Sequence, residues 1–133
     1  MRQVRSSEDA SRALSYFNHF HDGFLESIAV RVIPESPEGF GFALPVRHDV
    51  TLGFVHSNYP AAEANGGRER RIEMRLARVR RMSVGDMVAV DNMLQECLIE
   101  IDAGGTIHVD VGGDGLIVFV CDALTIEELA DRD

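Results

Sequence analysis

The sequence predicts a mainly β domain, an antiparallel β-sandwich or partly rolled sheet of about six to eight strands with a short N-terminal helix. Apolar residues alternate with polar or small residues in several separate segments. Turn-forming stretches such as Pro34 to Gly39 and Gly112 to Gly115 separate these segments. At 133 residues one hydrophobic core suffices, so we expect a single domain spanning residues 1–133.

The N-terminal segment has the pattern of a short helix followed by a long strand. A hydroxyl at Ser6 or Ser7 with Glu8 and Asp9 behind it is typical of a helix N-terminus. The apolar residues that follow have helical spacing: Ala10, Ala13, Leu14 and Phe17. Gly23 ends the helical pattern. Four apolar residues are then expected to share one strand face: Phe24, Ile28, Val30 and Val32.

The middle of the chain combines strand patterns with a long loop. Phe40 to Val46 and Val50 to His56 both alternate, which predicts two strands. Ser57 to Gly67 is predicted to be the longest loop. Arg68 to Met82 fits a helix by composition, whereas the alternation of Ile72, Met74 and Leu76 fits a strand, and periodicity alone does not decide between them.

The C-terminal part predicts three strands in close succession. These are Cys97 to Asp102, Thr106 to Val111 and Leu116 to Val120, and the third is apolar on both faces. We therefore expect the third strand to lie in the middle of the structure, covered on each side. Thr125 to Leu129 is either a last helical turn or a polar edge strand.

Composition narrows the classes of partner. The net charge of −9, with no lysine, argues against binding to nucleic acid or to anionic membranes. No apolar run approaches the roughly 20 residues of a membrane helix, and the N-terminus lacks the apolar segment of an export signal. Cys97 and Cys121 lie in apolar strand patterns, which is typical of buried, reduced thiols. We therefore expect a cytoplasmic protein.

One cluster of residues could bind a metal. His19, His21 and Asp22 offer imidazole and carboxylate ligands suited to zinc or iron, and three further residues could join them: His48, Asp49 and His56. In the alternative interpretation His21 and Asp22 form a hydrogen-bonded pair that holds the helix-to-strand turn. We favour the pair, because no third ligand has a recognisable spacing.

The sequence contains no familiar catalytic motif. A Gly-x-Ser-x-Gly elbow is absent, and the glycines at 112–115 precede a strand instead of the helix that a phosphate loop requires. His108 and Asp110 share a strand face, but no nucleophile accompanies them, so a solvated face is the better interpretation. We therefore expect a binding protein in preference to an enzyme.

A basic segment offers a second candidate binding surface. Seven of the 13 arginines lie between Arg68 and Arg81, interleaved with glutamates. If this segment is a strand, Arg71, Glu73 and Arg75 form a flat polar face suited to an acidic protein partner or to a second copy of the chain. Nearby aromatic residues that could stack on bases are missing, which argues against nucleic acid.

The segment Phe20 to Ile28, Phe-His-Asp-Gly-Phe-Leu-Glu-Ser-Ile, resembles the opening of a group of small bacterial β domains. That group includes predicted immunity proteins of polymorphic toxin systems. Three later segments are similar to the same group: Arg71 to Leu76 followed by Val79, Asp91 to Leu94, and Val118 to Cys121. The chain departs from the group in its longer Ser57 to Gly67 loop and in lacking an aromatic residue before the closing glycine turn.

The resemblance implies a non-enzymatic protein-binding module, an immunity-type inhibitor that acts by binding its partner. It also favours a strand at Arg71 to Leu76. The candidate binding residues are then His21, Asp22, Arg71, Glu73 and Arg75. The alternative function is a metal-binding protein or metal-dependent hydrolase that uses His19, His21 and Asp22.

Overall fold

The structure is a computed structural model that describes residues 1–35, 46–85 and 93–131, and it is mainly β, as predicted. The described part contains nine strands: β1 Arg2–Val4, β2 Phe24–Pro34, β3 Val46–His56, β4 Arg70–Ala77, β5 Arg81–Val84, β6 Leu98–Ile101, β7 Ile107–Asp110, β8 Ile117–Cys121 and β9 Ala123–Asp131. Helix α1 spans Ser7–Tyr16 and helix α2 spans Pro60–Ala64. Neither helix is long and apolar enough to cross a membrane, and the described residues contain no other candidate.

The strands form two antiparallel sheets. The five-stranded sheet has the order β1-β9-β4-β3-β2, and the four-stranded sheet has the order β5-β8-β7-β6. Strand β4 leads into β5, and β8 leads into β9, so both connections pass from one sheet to the other at the same corner. Side chains from both sheets form one hydrophobic core. The predicted antiparallel sandwich or rolled sheet is therefore confirmed.

Three backbone hydrogen bonds hold that corner. The N–H of Asp122 donates to the Ala77 carbonyl (3.1 Å), and the N–H of Arg80 donates to the Val120 carbonyl (2.7 Å). The N–H of Val79 donates to the carbonyl of His48 in β3 (2.7 Å). Beyond this last bond β5 pairs with β8, whereas β3 continues straight beside β2. The corner therefore separates the two sheets at one end.

Strand β4 confirms the strand interpretation of the ambiguous arginine-rich segment. Ile72, Met74 and Leu76 are fully buried, whereas Arg71 and Arg75 are exposed. Strand β4 pairs with β3 on one side and with β9 on the other. Pairing on both edges, together with burial of the apolar face, outweighs the helix propensity of this composition.

Helix α1 forms where the sequence predicts it. The hydroxyl of Ser6 accepts a hydrogen bond from the N–H of Asp9 (3.1 Å) and so caps the first turn. Ala10, Ala13 and Leu14 are buried. The helix contacts β1 and β6, which are the outer strands of the two sheets. It therefore closes one lateral side of the sandwich.

The first long strand is present, but the expected position of Phe24 is wrong. Leu25 pairs with Phe54, and Ser27 pairs with the next residue, Gly53, so Glu26 is an extra residue in a β-bulge. The bulge shifts the alternation by one residue. Leu25, instead of Phe24, therefore shares the inner face with Ile28 and packs on the core.

Several other expectations need correction. The predicted loop at Ser57 to Gly67 contains α2, because Tyr59 and Ala62 are buried and hold this segment on the core. The Thr125 to Leu129 segment is neither a helical turn nor an edge strand, since β9 lies between β1 and β4. Strand β8 is central in its sheet, but Val118 and Val120 are only half-buried, so one of its faces is incompletely covered.

Two short strands have no counterpart among the expected elements, and one expected element lies outside the described residues. Strand β1 has three residues and β5 has four, which is too short for a clear alternating pattern. The expected strand from Phe40 to Val46 falls outside the described residues except for Val46, which begins β3.

The alternation in β4 predicts a sharp difference between neighbouring substitutions. Met74→Ala should cost about 2–5 kcal/mol of unfolding free energy, because it leaves a cavity in the core. Arg75→Ala on the opposite face should cost at most about 1 kcal/mol. Urea unfolding of the two variants measures the difference, and equal losses would contradict the assignment of faces.

Candidate functional site

The His-Asp segment forms a left-handed turn between α1 and β2. Asn18, His19 and Phe20 have φ values of 52°, 54° and 58°, and Asp22 has a φ of 66°. This conformation costs about 1–2 kcal/mol for each residue that carries a Cβ. Contacts with the rest of the chain must therefore hold the turn in place.

Backbone hydrogen bonds supply part of that restraint. The His19 carbonyl accepts from the N–H of Cys97 (2.8 Å), and the N–H of Asp22 donates to the Leu94 carbonyl (2.9 Å). The side-chain amide of Asn58 donates to the His21 carbonyl (3.2 Å). The turn is thus tied to residues that are distant in sequence on two sides.

Beneath the turn lies His56, whose side chain is almost completely buried at 1% exposure. Its ring stacks on Phe20 and Tyr59, with centroid separations of 5.6 and 4.9 Å. Nε2 lies 2.7 Å from the carbonyl oxygen of Phe17, which can only accept, so Nε2 carries the proton. A Cβ at position 23 would lie 2.9 Å from Nδ1, which explains why this position is Gly23.

The other ring nitrogen of His56 lacks a hydrogen-bond partner in the described structure. Burial lowers the pKa of the His56 imidazole below its ordinary value, and the Phe17 carbonyl opposes this shift only in part. The imidazole is therefore neutral. Because its proton sits on the nitrogen that bonds Phe17, protonation would place a charge on a buried Nδ1 with no acceptor.

Next to His56, Glu128 gathers a polar cluster at the edge of the core. Its carboxylate accepts hydrogen bonds from the hydroxyls of Tyr59 (2.6 Å) and Tyr16 (3.2 Å), and it forms an ion pair with Arg70 (3.0 Å). Burial and this carboxylate raise the pKa of Tyr59, so its hydroxyl stays protonated. Glu128 lies on the inner face of β9, where it pairs with the buried Ile72.

The predicted metal ligands come together only in part. His21 Nδ1 lies 3.2 Å from Asp22 Oδ2, so the two side chains of the alternative interpretation are in contact. Within residues 1–35, 46–85 and 93–131, no three His, Cys, Asp or Glu side chains are grouped so that they could hold a metal ion. A zinc or iron site at His19, His21 and Asp22 stays a prediction.

The arginine face lies on the outer side of the five-stranded sheet. Arg75 Nη2 is 3.0 Å from a Glu73 carboxylate oxygen and 3.4 Å from a Glu127 carboxylate oxygen. Two carboxylates around one guanidinium reduce its attraction for an acidic partner. The roles of Arg71, Glu73 and Arg75 in binding stay predictions.

Other candidate groups have structural partners. His108 pairs with Asp102 (3.3 Å), whereas Asp110 accepts hydrogen bonds from the N–H groups of Gly113 (2.9 Å) and Gly115 (3.0 Å) and so holds a turn. The two cysteines, Cys97 and Cys121, are free and buried. Burial raises the pKa of both thiols, to about 12 for Cys121, and a protonated buried thiol is unreactive.

The described surface also contains a groove with apolar and basic lining residues, which we call the open cleft. It has a volume of about 200 Å³ and runs between β5 and the paired strands β2 and β3, which we call the β2–β3 arm. Its lining consists of Val30, His48, Val50, Val79, Arg80, Arg81 and Met82. The bond between Val79 and His48 lies at its closed end. The cleft is thus the separation that the corner creates between the two sheets.

Apolar side chains around the cleft are exposed although they point toward the interior of the sandwich. Val30 pairs with buried Val50, and Met82 pairs with buried Phe119, which places both on inner faces. Exposure is nevertheless 48% for Val30, 57% for Val32, 43% for Val46 and 46% for Met82. Sequence analysis assigned Val30 and Val32 to a shared face, but it gave no sign that the opposing sheet bends away.

The rim of the cleft is basic. Within the described residues Arg81 is exposed and has no ion-pair partner, and His48 is also exposed. Arg80 forms an ion pair with Asp122 (2.7 Å). An apolar groove with an unpaired cation beside it fits a ligand that combines apolar and acidic groups.

Comparisons with known proteins add no relative from which a function could be transferred. A scan of protein-family models, a search of curated proteins and a search of solved structures each returned no match.

His56 predicts a decrease in stability at acidic pH. Because the folded state lowers its pKa, the unfolded state binds the proton more readily, and stability falls as the pH drops below about 6.5. We expect His56→Phe to remove this part of the pH dependence, whereas His48→Phe at an exposed position retains it. Urea midpoints between pH 8 and pH 5 measure the slopes, and equal slopes in all three proteins would contradict the assignment.

Asp22 predicts a structural effect. Asp22→Ala and Asp22→Gly both lose the interaction with His21. Only Asp22→Ala keeps a Cβ in the left-handed region, so it should be about 1 kcal/mol less stable than Asp22→Gly. Urea unfolding gives the difference. Metal analysis of untagged protein serves as the control: stoichiometric zinc or iron in the unmodified chain that both variants lose would make Asp22 a ligand instead.

Proposed function

We propose that the chain is a non-enzymatic protein-binding module that holds an apolar and acidic segment of a partner protein in the open cleft. The observation that carries this proposal is the exposure of inner-face side chains at the cleft and beside it: Val30 and Met82 line the cleft, and Val32 and Val46 lie next to it on β2 and β3. Apolar side chains clustered at one exposed place are typical of interaction sites in folded domains.

The charge around the cleft supports the choice of partner. Arg81 and His48 lie on the rim, while the chain as a whole carries a net charge of −9. A second copy of the chain would bring two acidic molecules and two copies of Arg81 together, which is unfavourable. A partner with carboxylates beside its apolar residues would meet Arg81 at short range.

The resemblance at Phe20 to Ile28 extends the proposal to the kind of partner. An immunity-type inhibitor binds a toxin and blocks it without chemistry of its own. We further propose a cytoplasmic location, for which the two buried free thiols are the support.

Substitutions on the two faces of one strand test the proposal. Val32→Glu places a charge at the margin of the cleft, on the inner face of β2 beside Val30, and should abolish formation of a stoichiometric complex with the natural partner, because the partner's apolar residues would have to bury it. Ala29→Glu lies on the same strand but on the opposite face, and the complex should form as before. Both positions are exposed, so stability should change by only about 0.5 kcal/mol.

The measurement is purification of the complex from the cell that makes the protein, followed by affinity measurement on the isolated pair. A complex that survives Val32→Glu and is lost with Ala29→Glu would move the site to the outer sheet face. Failure to isolate any stoichiometric partner under several growth conditions would count against a binding module.

A further inference from the structure

We infer that the open cleft accepts its ligand as an additional β-strand, which pairs with the free edge of β5 in an extended conformation. This inference rests on the proposed function, since it specifies how the same cleft holds a partner segment. The ligand is an extended protein segment in which apolar and acidic residues alternate.

The first argument is the position of the β5 edge. Strand β5 is the outermost strand of its sheet and, within the described residues, pairs only with β8. Arg81 and Met82 are neighbours whose side chains point to opposite faces of the sheet, yet both line the cleft. This lining fits a groove that runs along the edge of the strand.

The second argument concerns the backbone groups at that edge. The N–H of Gly85 donates to the Leu116 carbonyl (2.6 Å), and the register places Val84 opposite Ile117. Hydrogen-bonded pairs alternate along an antiparallel ladder, so Arg81 and Ser83 bond to β8. The N–H and C=O groups of Met82 and Val84 therefore point away from β8, toward the free edge, where an added strand would bond them.

The third argument is the match between side chains and register. A strand laid along β5 presents alternate side chains to the interior of the sandwich and to the exterior. Interior side chains would meet Met82 on one wall and Val30 on the other, whereas exterior side chains would lie on the same side as Arg81. Alternating apolar and acidic residues satisfy both sides at once.

Binding of a designed peptide tests the inference. The probe is the fluorescein-labelled peptide Ser-Val-Glu-Val-Glu-Val-Glu-Ser with blocked ends, measured by fluorescence anisotropy against the full chain. Two further versions carry N-methyl groups, either on all valine nitrogens or on all glutamate nitrogens. A strand bonds its neighbour through alternate residues, so only one of the two methylated versions should lose affinity, by about tenfold or more.

Two variants of the chain test the same bond from the other side. Met82→Ala removes the side chain and keeps the N–H, whereas Met82→Pro removes the N–H as well, and proline is tolerated on an edge strand. Met82→Pro should bind the unmethylated peptide about tenfold more weakly than Met82→Ala. Thermal unfolding of both variants verifies that each is folded, and the methylated peptides decide the question if Met82→Pro is not.

The outcomes separate this inference from the proposed function. Equal loss of affinity with both methylated peptides, no loss with either, or no binding of the unmethylated peptide would overturn strand addition. A natural partner lost on Val32→Glu would then still place the binding site in the cleft. Dimerisation of the chain that Met82→Pro abolishes would identify a second copy as the occupant and would overturn the choice of ligand.

Discussion

The hydrogen bond from the N–H of Val79 to the carbonyl of His48 marks the point on which the shape of this sandwich depends. Up to this bond, β3 and β4 are neighbours in one sheet. The chain turns at Arg78, just before this bond, where the φ of 53° is left-handed, and then enters the other sheet as β5. The β2–β3 arm continues without that neighbour. The inner face at Val30 and Val32 is consequently only partly covered, and Val30 faces β5 across the open cleft.

As a result, the two lateral sides of the sandwich differ in how far they are covered. On one side α1 contacts β1 and β6, and the carboxylate of Glu128 has several hydrogen-bond and ion-pair partners. There the aromatic rings of Phe17, Phe20 and Tyr59 also pack against one another. On the side of β2 and β5, apolar side chains are exposed, and within the described residues the outer edge of β5 has no neighbouring strand.

The sequence predicts features that depend on local alternation and misses those that depend on how sheets assemble. Ile72, Met74 and Leu76 alternate and form a buried strand face, because a strand with period two needs only one covered face to show its pattern. The bulge at Glu26 has no comparable signal in the sequence. One extra residue moves the side chains that precede it to the opposite face of the strand, and the composition of the segment does not reveal this. Glu128 shares the inner face with Leu124 and Ile126 at a period of two, but the sequence does not reveal that Tyr16, Tyr59 and Arg70 lie beside it.

The same distinction explains why the candidate site emerged only from the structure. Val30 and Val32 have the pattern of core residues, yet they lie exposed on the outer strand of their sheet. The distribution of charge limits how strongly such a cleft could attract an acidic ligand from a distance. With a net charge of −9 the chain repels an acidic partner at long range, and at physiological salt the attraction of Arg81 extends only over about 8 Å. In the binding mode that we propose, the rim charge orients a segment that has already arrived, whereas affinity comes from apolar burial and from the backbone bonds of the β5 edge.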